Sequence, residues 1–367
     1  MKILEQIKSW NRYDFTGAAA KMTGRDVEHA LSAERVDEQG LLALLSPAAR
    51  DYFEPMAVKA RDITLRHFGR TIQLYIPLYL ANYCSNSCTY CGFSAKNKIG
   101  RSKLTMDEIE GNAAEIAKTG MKHILILTGE SRAESPPEYI IDAVKILRKY
   151  FVSVSIEVYP METDEYRMLK DAGVDGLTIY QETYDPGVYS EVHPAGKKRD
   201  YAYRLGTPAR GAEAGFRWVN IGALYGLAEP AKESFMSALH AKYLQNKYID
   251  TEISLSLPRM NEAEGGYHAK YTLDDRDYVK TMLAFRIFLP RAGITLSTRE
   301  RAEFRDRLLP LGITRISAGS MTTVGGYDVQ SADVPQFEVS DCRSVDEVVK
   351  AIAENGYEPV FQDWVAI

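Results

Sequence analysis

The chain has 367 residues, 45% of them hydrophobic, and its 45 Lys and Arg against 50 Asp and Glu leave a formal net charge of −5. That length suits one large α/β domain with an extension rather than a minimal fold. The acidic balance argues against a nucleic-acid partner, and no apolar run nears the roughly 20 residues needed to span a membrane.

The N-terminus, MKILEQIKSWNRYDF, scatters charges along its length and has no apolar signal region. Residues 1–70 read as a helical extension, with helical spacing around Gly24–Leu31 and from Pro47 to Phe68. From Thr71 the pattern alternates. Short β-branched or apolar runs fall at 71–81, 122–128, 152–158, 175–180, 217–223, 251–257, 293–298 and 313–318. Between them lie helical patterns at 106–119, 137–150, 163–172, 200–214, 231–246, 274–289 and 300–309. Eight strands alternating with helices predict a (β/α)8 TIM-type barrel over 71–367, including a C-terminal segment. The rival, an open doubly wound sheet, lacks its glycine-rich phosphate loop here.

Three of the four cysteines stand within eight residues, as Cys84-Ser-Asn-Ser-Cys88-Thr-Tyr90-Cys91. This is not the pattern of a secreted disulfide scaffold, so a reducing, cytoplasmic compartment is expected. Three thiolates on a loop leaving the first strand can hold three corners of a [4Fe–4S] cluster and leave the fourth iron open to a small molecule. Zinc is the competing reading, but it wants a fourth Cys or His at finger-like spacing, which His67 and His123 do not obviously supply. Catalytic side chains of such barrels gather where the strands end. Those ends carry Thr128-Gly129-Glu130, Tyr180-Gln181-Glu182, Gly222 to Tyr225, Arg299, and Ser317 with Ser320. On the third strand, Ser155 and Glu157 alternate with apolar neighbours and should point inward, Glu157 towards a ligand or into a structural ion pair.

The C-x3-C-x2-C spacing, with an aromatic residue before its last cysteine, resembles the radical S-adenosylmethionine (SAM) superfamily. Further segments narrow the likeness. Cys91-Gly-Phe-Ser, Ser155-Ile-Glu-Val, Tyr180-Gln-Glu-Thr-Tyr184, His193-Pro-Ala-Gly-Lys-Lys-Arg-Asp-Tyr201, Ser297-Thr-Arg-Glu and Ser317-Ala-Gly-Ser together resemble its aromatic-amino-acid lyase branch. Within that branch they are most similar to the 2-iminoacetate synthases, the tyrosine lyases of thiamine biosynthesis. The resemblance spans nearly the whole chain. It implies that an electron entering the cluster splits SAM into methionine and a 5′-deoxyadenosyl radical. It further implies cleavage of the Cα–Cβ bond of L-tyrosine to 2-iminoacetate and p-cresol.

The same resemblance implies roles for residues. Cys84, Cys88 and Cys91 would hold the cluster; Tyr90, Gly129, Glu130, Ser155, Glu157, Arg204, Gly222 and Tyr225 would form the SAM side. Arg299 would clamp the substrate carboxylate, with Arg259 as runner-up, Ser317 and Ser320 would add hydrogen bonds, and Tyr180 and Glu182 would face the side chain or amine. Expected partners are a reductase or a flavodoxin or ferredoxin as electron donor, and thiazole synthase as the consumer of the imine. Two positions depart from relatives: Gly206 where many have an acidic residue, and Tyr159 where Gln is frequent. Three other readings were open: a tyrosine-cleaving hydrogenase maturase, which needs extra tail cysteines where only Cys342 follows the barrel, a tryptophan lyase, and a non-catalytic iron–sulfur protein.

Overall fold

The computed structural model describes residues 2–329 and 331–363. Eight strands close a barrel: β1 (Thr71–Ala81), β2 (His123–Thr128), β3 (Ser153–Glu157), β4 (Val174–Thr178), β5 (Trp218–Gly222), β6 (Glu252–Ser256), β7 (Gly293–Leu296) and β8 (Arg315–Ser317). Each pairs in parallel with the next, and β1 pairs with both β2 and β8, so the ring of eight closes. All eight expected strands are present: β1 spans 71–81 as expected, β4 begins one residue early at Val174, and the others are trimmed by one or two residues at an end.

Around them run α6 to α8 (Met106–Lys118, Pro137–Leu147, Thr163–Ala172), α9 (Pro186–Val192), α10 (Tyr201–Leu205), α11 (Thr207–Glu213), α12 (Pro230–Lys247), α13 (Asp275–Phe288) and α14 (Ala302–Leu308). The helix expected over 200–214 is two helices. Pro208 sits in the first turn of α11, where its missing N–H costs nothing, and its ring bars the preceding turn from running on as one helix. Before the barrel come α1 (Lys2–Asn11), α2 (Phe15–Lys21), α3 (Gly24–Ser32), α4 (Glu38–Leu45) and α5 (Phe53–Phe68). Their buried faces, including Phe15, Leu41 to Leu45 and Met56, share one apolar core with Leu283 and Phe285 of α13. The extension is therefore packed against the barrel wall.

Three elements have no counterpart in the sequence reading, the first being the short helix α9 after β4. Helix α15 (Val345–Glu354), capped by Ser344 and Glu347, leads into a ninth strand, β9 (Glu358–Val360), which pairs in parallel with the start of β1. β9 is too short to show alternation, and Pro359 interrupts it.

The pleat of the barrel strands sets the chemistry of the interior. Val154 and Ile156, Val219 and Ile221, and Ile294 and Leu296 face the helices, while their neighbours Ser153, Ser155, Glu157, Asn220, Thr295 and Ser297 line a central cavity. A TIM barrel is ordinarily filled with branched aliphatics. Here apolar residues hold the outside of the sheet, and the lumen is mixed, with Tyr75, Leu125 and Leu127 of β1 and β2 beside the serines, Asn220 and Thr295. No described helix is long and apolar enough to cross a membrane.

Candidate active site

The cysteines occupy the loop that leaves β1, and that loop is anchored on several sides. Arg101 reaches back to the carbonyls of Asn82, Phe93 and Ser94 at 2.7–2.9 Å, and Asn97 caps those of Cys91, Gly92 and Glu264. The backbone N–H groups of Ser85, Ser87 and Thr89 bond to Glu130, Ala195 and Val192. A side chain at Gly92 would collide with the Gln336 carbonyl, so this glycine lets the C-terminal segment lie on the loop. All three thiols are free; Cys88 is buried, and Cys91 faces the central cavity. Burial pushes their pKa values up, that of Cys91 to about 11, so the thiols hold their protons until a metal displaces them.

Beside this loop four charges interlock. Arg204 pairs with Glu130 at 2.9 Å and Glu182 at 3.2 Å, and its Nε donates to the Tyr180 carbonyl at 2.6 Å. Lys198 bonds to Glu182 at 2.7 Å and lies 3.8 Å from Glu130. Burial alone would raise the two carboxyls, yet Arg204 and Lys198 outweigh it and hold both below the usual glutamate range. Asn86 of the cysteine loop donates to Glu130 at 2.7 Å and accepts from the Lys198 N–H at 3.0 Å. The charge cluster and the cysteine loop are thus one unit. Glu182 has φ +70°, the only positive value at a described non-glycine residue, a strain that its two cations hold in place.

Tyr90 meets Lys198 with its ring face and bonds through its hydroxyl to His193 Nε2 at 2.8 Å. His193 Nδ1 lies 2.9 Å from the Tyr189 carbonyl, which fixes Nδ1 as donor and Nε2 as acceptor. Burial drives the His193 pKa down to about 2. The imidazole is a neutral brace for Tyr90.

Across the cavity stands Arg299. Its guanidinium stacks on Phe337 at 3.3 Å and reaches one carbonyl, that of Arg259, at 3.4 Å. Among the described residues it has no carboxylate partner. Arg259, the runner-up for the clamp, is saturated: it forks onto Glu300 and pairs with Asp275 at 2.9 Å. In the same cavity, the Ser320 hydroxyl is buried without a partner among the described residues, whereas Ser317 already accepts from the Thr298 N–H at 3.1 Å. Tyr180 also lines this cavity, with burial holding its phenol protonated.

Residues 78–235 match the model of the radical SAM superfamily, and residues 256–358 that of the biotin and thiamin synthesis associated domain. The 2-iminoacetate synthase of Escherichia coli is 40% identical over 97% of this chain and 95% of its own. That of Salmonella typhimurium is 38% identical with the same coverage. The chain belongs to the 2-iminoacetate synthase family. A crystal structure of HydG, a maturase of the [FeFe]-hydrogenase, superposes with TM-score 0.87 at 32% identity over 98% of this chain and 80% of that one.

This family of radical SAM enzymes uses a [4Fe–4S] cluster and SAM, and the residues here fit both. No group of three or more His, Cys, Asp or Glu among the described residues converges as a single-ion site. Three thiolates on one loop can each bind a separate iron of one cubane. Cys91, Tyr90, Lys198 and Glu182 share the cavity with Leu224 and Met260. Charges of both signs beside apolar surface suit a molecule that joins a zwitterionic amino acid to an adenosine.

Not every expected SAM-side residue gathers there. The Tyr225 hydroxyl pairs with Ser234 of α12 at 2.9 Å, outside the cavity. Gly222 serves the sheet: a Cβ there would strike the Ser256 carbonyl of β6. Gly129 likewise lets the second strand end pass the Tyr83 carbonyl. Ser155 and Glu157 do face the cavity, although the Ser155 hydroxyl donates to the Ile124 carbonyl at 3.0 Å. Lys198, Asn86, Gln336 and Phe337 were missed. The basic run after His193 was a signal for Lys198, but nothing local marks the other three.

Glu157 has a testable consequence. Burial, then the nearby Glu182, raise its pKa to about 7 against the pull of Arg299, Arg204 and Lys198. The folded chain therefore binds this proton more tightly than the unfolded chain, and the contribution of Glu157 to stability falls as pH rises from the ordinary glutamate range through about 7. Glu157→Gln should leave the Tm of the ligand-free protein unchanged near about pH 5 and raise it near about pH 8. An equal shift at both values would show that Glu157 does not titrate in this range.

Proposed function

We propose that this protein is a radical SAM tyrosine lyase, cleaving the Cα–Cβ bond of L-tyrosine to 2-iminoacetate and p-cresol. The observation that carries the reading is Arg299, a cation that has no carboxylate partner among the described residues and shares one cavity with Cys91. When bound, the cluster and SAM supply a 5′-deoxyadenosyl radical that takes hydrogen from the substrate. The chain's own residues do the rest. Arg299 takes the substrate carboxylate in its fork, with the Ser320 hydroxyl, unpaired among the described residues, in the same cavity. Tyr180 and Tyr79, both held as neutral phenols, border the substrate with protons to donate and no charge to repel. The interlocked Glu130, Glu182, Arg204 and Lys198 hold the SAM side rigid against the cysteine loop. Cys84, Cys88 and Cys91 hold the cluster.

A low-potential flavodoxin or ferredoxin supplies electrons, and thiazole synthase consumes the imine, which water would otherwise destroy. The decisive experiment is anaerobic turnover of the reconstituted, reduced protein with SAM and L-tyrosine, assayed for 5′-deoxyadenosine and p-cresol. Both products are expected together. Deoxyadenosine without p-cresol would overturn tyrosine as substrate, and L-tryptophan would be tested next.

A further inference from the structure

The segment after β8 returns to the cysteine loop at Gln336. Its backbone N–H donates to the Thr322 carbonyl at 2.9 Å, and its own carbonyl accepts from the Gly92 N–H at 3.3 Å. Both backbone groups of Gln336 are thus engaged, and its place against the loop is fixed independently of its side chain. The side-chain amide then has one orientation. Tyr79 of β1 is 3% exposed, and burial, with Glu157 next in effect, keeps its phenol protonated. That hydroxyl is a buried donor in need of an acceptor, and it finds Gln336 Oε1 at 2.7 Å. With its oxygen engaged, the amide turns its NH2 the other way, where Nε2 lies 4.0 Å from Cys91 Sγ, within hydrogen-bonding reach of so large an acceptor.

Among the described residues no other side chain bonds to one of the three thiols. Backbone N–H groups do, those of Asn86 and Glu130 at Cys84 and that of Phe93 at Cys91, but no substitution can remove them. A neutral thiol gains little from the Gln336 donor. A thiolate on iron gains more, and gains most when the cluster holds an extra electron, because the charge on its sulfurs is then larger. A donor at Cys91 therefore favours the reduced cluster over the oxidised one.

We propose that Gln336, aimed by the Tyr79 hydroxyl, tunes the reduction of the cluster by holding a hydrogen bond on the Cys91 sulfur. It acts through Cys91 and is a positioning residue. The proposal rests on Cys84, Cys88 and Cys91 holding the cluster, and it is independent of which amino acid the enzyme cleaves.

The test is an anaerobic potentiometric titration of the reconstituted, cluster-loaded protein, read by the electron paramagnetic resonance of the reduced cluster, without SAM or substrate. Gln336→Met keeps the length of the side chain and removes its N–H donor. Its reduction equilibrium should shift about three- to tenfold towards the oxidised cluster, a tenfold shift being about 59 mV more negative for one electron. The sign separates this effect from a loosened site. Water let in around the cluster would stabilise the added negative charge and shift the equilibrium the other way. A shift below about twofold, or one towards the reduced cluster, overturns the proposal. If Gln336→Met takes up no cluster, Gln336→Asn, whose amide is too short to reach the sulfur, is read by the same sign. If neither variant takes up a cluster, Gln336 is a structural part of the cluster loop and the proposal is overturned. Failure of the wild-type protein to take up a cluster would instead overturn the assignment of the cluster to the three cysteines.

Discussion

Cys88→Ala is expected to abolish both 5′-deoxyadenosine and p-cresol, to below about a thousandth of the wild-type rate, the scale of loss when a member of one catalytic unit is removed. Cys88 is the buried middle thiol of three, and the fourth cysteine, Cys342, is exposed in the segment after the barrel. Losing it leaves one iron of the cubane without its protein ligand, and the reconstituted protein should show a matching deficit of iron and visible absorbance. The fold should survive. Arg101, Asn97 and Asn86 pin the loop by backbone carbonyls and by Glu130, not by the thiols. Thermal unfolding of the metal-free variant should therefore match that of the metal-free wild type. Retention of p-cresol formation in Cys88→Ala would overturn the assignment of the cluster to this loop.

Arg299→Gln should have the second largest effect, and a different one. Truncating one partner of a partly buried charge pair costs about 2–5 kcal/mol, or roughly 30- to several-thousand-fold in affinity. The loss should fall on tyrosine: KM rises by about that factor, while reductive cleavage of SAM without substrate persists. Arg299→Lys should recover only part, because an ammonium keeps the charge but not the fork. The Phe337 ring that now faces the guanidinium at 3.3 Å would also lose its planar partner. An unchanged KM for tyrosine in Arg299→Gln would remove Arg299 from the carboxylate and reopen the choice of cation.

Much of this arrangement was legible before any coordinates. The strands announced themselves by apolar alternation, and the same alternation put Ser155 and Glu157 in the lumen, because a strand turns every second side chain to one face. The cysteine motif was legible for a simpler reason: its ligands lie within eight residues and travel on one loop. The helix break at Pro208, the strand β9 and the helix α15 were not seen. Each is short or lies beyond the repeating pattern, and β9 exists only because the start of β1 offers it an edge.

The residues of the site divide along the same line. Arg204, which the resemblance put on the SAM side, is the buried link between Glu130 and Glu182. Glu182 was expected to face substrate, yet its carboxylate is taken up by Lys198 and Arg204. Tyr225 had the right neighbours in sequence, and its hydroxyl turned towards Ser234 instead.

By itself, then, the sequence determined the barrel, the cluster loop and the inward facing of Ser155 and Glu157, since periodicity and short spacing are properties of neighbouring residues. Only the tertiary structure decided which charged side chains are spent and which are free. Arg259 and Arg299 look alike in sequence, but Glu300 and Asp275 neutralise the first and no described carboxylate reaches the second. A buried charge takes its behaviour from partners far along the chain, because desolvation makes the nearest opposite charge dominate, and folding alone selects that partner.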